Sequence, residues 1–140
     1  MAITAAVPNS AKLEFLQGVH LPADVYMLAL YGPAATLNKA TTAYSVTDEV
    51  GNSGTYAAGG IVLVGYTAAL DGDAAILDWT TDPEWTGATI AAAGALIYNA
   101  TRANKAVAVL AFGGTITSTA GTFKVTLPVP AAATAVVRVT

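Results

Sequence analysis

The stretch Ile61-Val-Leu-Val-Gly-Tyr-Thr-Ala-Ala-Leu-Asp-Gly-Asp-Ala-Ala-Ile-Leu-Asp-Trp79 decides the fold class. An apolar run rich in β-branched residues, Ile61 to Tyr66, is followed by Asp71-Gly72 and by a second strand-length run, Ala74 to Trp79. Asp-Gly between two such runs is a hairpin signal, because its residues tolerate the positive φ of a tight turn. Thr80-Thr-Asp-Pro83 then breaks the second run.

The same pattern extends in both directions. Upstream, Val25 to Tyr31 is continuously apolar between Pro22 and Gly32-Pro33, as expected of a strand covered on both faces. Tyr44-Ser-Val46 predicts a short strand, and Asp48 to Gly54 a polar, glycine-rich loop. Downstream, Thr89 to Tyr98 and Ala106 to Phe112 read as buried strands, and Gly113-Gly114 as a turn or bulge. Thr122-Phe-Lys-Val-Thr-Leu127 alternates, which puts Phe123, Val125 and Leu127 inward and Thr122, Lys124 and Thr126 outward. Ala135 to Val139 supplies a last short strand. The helical signal is confined to Ser10 to Gln17, with Ser10 as a cap, Gly18 as a stop, and Leu13, Phe15, Leu16 and Val19 near one face. Seven or so short strands with one short N-terminal helix predict an all-β single domain, a β-sandwich or partly closed barrel. It should span 10–140, preceded by an N-terminal arm over residues 1–9 that reaches onto a neighbouring subunit.

Composition narrows the function classes. The chain has 140 residues, 54% hydrophobic and only 11% charged, with a net charge of −3. Soluble domains average roughly 25% charged, so this surface is poorly suited to standing alone in water. The apolar excess is largely the methyl surface of 31 alanines, and threonine follows with 19. Such a chain is β-rich and disposed to associate. Having no cysteine, it forms no disulfide and has no thiol nucleophile. Six scattered basic residues make no phosphate-binding patch, so no nucleic-acid partner is expected. Met1 to Pro8 lacks a basic, then apolar, secretory pattern, and no apolar run approaches the roughly 20 residues of a membrane span.

The residues able to carry chemistry are few. Any Ser-His-Asp arrangement would have to use His20, the only histidine, which reads instead as a capping or surface residue beside Leu21-Pro22. Asp71, Asp73, Asp78, Asp82 and Glu84 put five of nine acids within fourteen residues. Asp71 and Asp73 flank Gly72 in the manner of a cation loop, yet the further ligands of an EF-hand are missing and a solvated hairpin tip fits better. Glu84 before Trp85 is the one position resembling a glycosidase acid. Trp79 and Trp85, with six tyrosines, would suit a sugar-stacking platform or, more simply, a core. Gly59-Gly60 and Gly113-Gly114 lack the Lys-Ser/Thr of a phosphate loop. No catalytic, cofactor-binding or metal-ligating residue is expected, and no enzyme activity.

Ala11-Lys-Leu-Glu-Phe-Leu-Gln-Gly18, Leu28-Ala-Leu-Tyr31, Ala43-Tyr44 ahead of Asp48-Glu49, and Thr55-Tyr56 through Gly59-Gly60 resemble, in that order, segments of the small structural proteins of tailed bacteriophages. Trp85, Ala88-Thr-Ile90, Gly94 to Asn99, Phe112-Gly-Gly114 and Gly121-Thr-Phe123 extend the resemblance over most of the chain. The resemblance implies a virion protein on the capsid surface, made in the host cytoplasm. It would be a cement or decoration protein that binds the major capsid protein and forms a homo-oligomer, a homotrimer by analogy. A carbohydrate-binding head fibre or adhesin, or a neck or tail component, is the alternative. Neither cofactor nor catalytic residue is implied.

Overall fold

The computed structural model describes residues 2–139. One helix, α1 (Asn9–Leu16), precedes seven strands: β1 (Tyr26–Tyr31), β2 (Ile61–Val62), β3 (Tyr66–Asp71), β4 (Ala74–Trp79), β5 (Glu84–Asn99), β6 (Lys105–Lys124) and β7 (Val137–Val139). They form two antiparallel sheets, β2-β1-β5-β6 and β3-β4-β7, with no closed barrel, so the sandwich reading holds. Leu28, Leu30, Ala95 and Ile97 of the first sheet meet Leu77, Trp79 and Val137 of the second in the main core.

β1 and the last part of β5, Ala95 to Tyr98, are apolar at every position because both their faces are covered. Behind β1 and β5, Ala29, Tyr31, Leu96 and Tyr98 pack under Ala35 and Leu37 of the loop that follows β1. Of the expected arm, 1–9, Met1 lies outside the described residues, and Ala2 to Ala6 lie on this face. Thr4 N–H donates to Leu37 O (2.9 Å), Ala6 and Val109 exchange bonds of 3.1 and 2.8 Å, and Ile3 packs against the cluster. The arm reading therefore requires this segment to leave a bed on its own chain.

The β3-β4 hairpin forms at the expected place. Its two-residue loop is Gly72-Asp73, closed by Asp71 opposite Ala74, with Gly72 at φ 59° in the first loop position as a II′ turn requires.

Several sequence boundaries differ from the fold. α1 starts at Asn9 behind Pro8 with no side-chain cap, so Ser10 does not serve as one. Gly18 does end the helix: at φ 71° its N–H donates to Phe15 O while Val19 N–H donates to Glu14 O, a Schellman closure. Leu13 and Leu16 point away from the core, and Ala11 is the buried residue of the helix. Tyr44 to Val46 is not a strand; only Ala43 bridges to Lys105. The run Ile61 to Tyr66 is divided, its first two residues pairing with β1 and its last opening β3 after Gly65 at φ 84°. The two strands expected on either side of Gly113-Gly114 are one, β6. Phe112 to Thr115 bulge out opposite the single residue between Ala92 and Gly94, with Gly113 at φ 79° and Gly114 at φ 157°.

Candidate interaction surface

The polar residues that could carry chemistry are instead spent on holding segments together. His20 is buried rather than at the surface, between Glu14 of α1 and Asn99 at the end of β5. Thr101 N–H donates to Asn99 Oδ1 (3.1 Å), which orients the amide so that Nδ2 donates to His20 Nδ1 (3.0 Å) and to Asp24 Oδ2 (2.9 Å). His20 Nδ1 is thus an acceptor, and Nε2–H donates to Glu14 Oε1 at 3.1 Å. Lys105 reaches the other Glu14 oxygen (3.3 Å), and Arg102 grips both oxygens of Asp24 at 2.9 and 3.0 Å. No serine hydroxyl bonds to this histidine; the network ties α1 to the β5-β6 turn. Asn99→Ala would leave the buried His20 Nδ1 without its donor and Asp24 with one hydrogen bond fewer, and is expected to cost about 2–3 kcal/mol in denaturant unfolding.

The same network sets an acid limit. Arg102, with Asn99 and Leu21 N–H, holds the Asp24 carboxyl down to about 2 from an ordinary 3.8. A depressed folded-state value contributes stability above about pH 4 that is lost as pH falls through about 2. Arg102 is partly exposed, which limits the contribution to about 1–2 kcal/mol. Asp78 acts in the opposite sense: burial raises its carboxyl, and the backbone bonds from Trp79 and Val136 offset this only in part. Its stabilising contribution is fully present at low pH and lost as pH rises past its folded value. Stability should therefore be highest in mildly acidic solution and drop below about pH 4. In Asp24→Asn that low-pH drop should shrink by about 1–2 kcal/mol in denaturant titrations.

The acidic run from Asp71 to Glu84 gathers no cation site; among the described residues, no group of three or more His, Asp or Glu could hold a metal. Three of its carboxylates accept backbone N–H groups from one segment instead. Asp82 takes Leu127 (2.8 Å), Asp71 takes Ala132 (2.6 Å) and Asp78 takes Val136 (3.4 Å), lashing residues 127–136 across the outer face of the second sheet. Asp73 and Glu84 stay exposed, as a solvated tip and loop would. Nothing in the spacing of these acids signals the role, because their donors lie some fifty residues away.

The aromatic residues are likewise internal. Trp79 packs on Tyr26 and Tyr66, and Trp85 on Tyr56 and Phe123. Both indoles are buried, which removes the stacking platform. Glu49, not singled out in the sequence, sits inside the tyrosine group. It accepts from Tyr44 Oη (2.5 Å), Tyr56 Oη (2.7 Å) and Gly59 N–H (2.7 Å), and burial together with this carboxylate raises both hydroxyls far above their ordinary value. This cluster ties the Asp48–Gly60 loop together around one carboxylate.

What the surface does offer is apolar contact area. Leu16 is 87% exposed and Leu70 79%, joined by Leu13, Val62, Val64, Ile116, Val129 and Val139. Between α1 and β7 lies a recess of about 390 Å³ walled by Val7, Phe15, Leu16, Val137 and Val139, with the stems of Lys12 and Arg138 at its rim. A groove of about 520 Å³ runs along residues 34–48, lined mostly by alanine and threonine, with Tyr31 and Leu37 in its wall and Asp48 as its one charged residue. No described helix is long and apolar enough to cross a membrane. No protein-family model, curated protein sequence or solved structure matches the chain.

Proposed function

We propose that the chain is a capsid cement or decoration protein of a tailed bacteriophage, bound to the major capsid protein on the outside of the head and associated with copies of itself. The observation that carries this reading is the pairing of many exposed large apolar side chains with a surface poor in charge. Leu16, Leu70 and Val139 standing in water are costly for a monomer and useful for a protein whose work is to bury area between neighbours. Stable contacts of that kind remove about 1,200–2,000 Å² and require neither cofactor nor nucleophile. The resemblance to small phage structural proteins directs the contact to the head. Burial of Trp79 and Trp85 disfavours the alternative of a glycan-binding fibre. The test is co-sedimentation of the purified protein with phage heads stripped of accessory proteins. Saturable binding in proportion to the number of capsomers is expected, and failure to bind intact heads would contradict the proposal.

A further inference from the structure

β3 is hydrogen-bonded on one side only, as an outer strand of the second sheet. Asp71 and Ala74 close its turn and Gly65 O accepts from Thr80 N–H (3.1 Å), so alternate residues, Thr67, Ala69 and Asp71, direct their main-chain groups to β4. The N–H and C=O groups of Tyr66, Ala68 and Leu70 point the other way, where no described residue bonds to them.

Free edges are usually blunted by lysine, proline, a bulge or short length. The other edges here are: β2 has two residues, β7 three, and the outer stretch of β6 is interrupted by bulges. β3 has no such protection. It pairs regularly with β4 over all six residues, carries no charge before Asp71, its last residue, and presents the exposed Leu70 beside it.

We propose that β3 is a contact between two copies of this chain, paired antiparallel about a two-fold axis at Ala68 so that two three-stranded sheets become one. The strand is complementary to itself in this register. Ala68 faces Ala68 of the second copy, Tyr66 faces Leu70, and Asp71 faces Gly65, so no like charges meet. Each outward-facing pair exchanges two main-chain hydrogen bonds, and Leu70 gains an aromatic neighbour. A two-fold contact of this kind is isologous, and forms dimers or joins larger rings in pairs. It specifies one surface for the self-association proposed above and does not depend on the capsid partner.

The register makes a charge-swap test possible. Light-scattering mass measurement at high micromolar concentration should give an even number of copies for the wild-type chain. Ala68→Lys and Ala68→Glu each place like charges face to face and should halve the mass, with unchanged circular dichroism because Ala68 is exposed in the single chain. An equimolar mixture of the two variants should restore the wild-type mass. A wild-type monomer, a variant that keeps the wild-type mass, or a mixture that stays at half mass would each overturn the contact. Loss of head binding with the charge swap intact would count against the capsid reading alone.

Discussion

Gly60→Ala is expected to cost more than about 4 kcal/mol, a large fraction of the total stability of a domain. Gly60 has φ +85°, and a Cβ there would lie 1.8 Å from Leu28 O and 2.5 Å from Leu28 C. Both obstacles are backbone atoms of β1, the strand at the centre of the main core, so neither can swing aside. Relieving the clash means moving β2 off Leu28 and Met27, to which it is paired, and dragging the Glu49 cluster with it through Gly59 N–H. Gly72→Ala is the control. It has a similar φ of +59° but open space around the missing Cβ, and should cost only about 1 kcal/mol. Urea unfolding of the two variants, compared at equal m-value, separates a close-approach requirement from a conformational one.

Trp85→Ala is expected to cost about 3–5 kcal/mol, the range for emptying an aromatic site in a packed core. Trp85 is 1% exposed and pairs across the sheet with Phe123, while Tyr56 closes over it with ring centroids 5.2 Å apart. Its removal therefore loosens the far end of the β5-β6 hairpin and the Glu49 loop together. Tyr56 would lose its packing surface, although its hydroxyl still bonds to Leu30 N–H (2.9 Å) and Glu49. In the intact protein a neutral quencher should hardly reduce indole fluorescence, since Trp79 is buried as well. Strong quenching at native pH would revive the stacking-platform reading and weaken the contact-protein account.

Particular residues show how far the sequence could be read. The hairpin at Asp71-Gly72, the doubly covered strand ending at Tyr31, the helix stop at Gly18 and the inward set Phe123, Val125 and Leu127 all rest on local pattern, and all appear in the fold. β6 was not legible as one strand, because a four-residue bulge at Phe112–Thr115 shifts the period of two that marks a strand and places glycines where a turn is expected. Leu13 and Leu16 fit a buried helical face by spacing, yet α1 rests on the body through Ala11 and Phe15; which face of so short a helix is buried depends on tertiary contacts. The polar networks were the least legible. His20 with Asn99, Asp24 with Arg102 and Asp71 with Ala132 join residues more than sixty positions apart, and only the closed sheets bring them together. The exposed apolar surface was legible only as a charge deficit, and the fold spreads it over α1, β2, β3, β6, β7 and the loops between them.

Cryo-microscopy of the phage particles proposed to carry the chain tests the proposed function most directly. Ordered copies are expected on the outer head surface at the junctions between capsomers, with the two-sheet fold fitting the density and the apolar residues around Leu16 and Val139 turned towards a protein neighbour. Absence of the chain from the particle, or density for it only in the neck or tail, would contradict it.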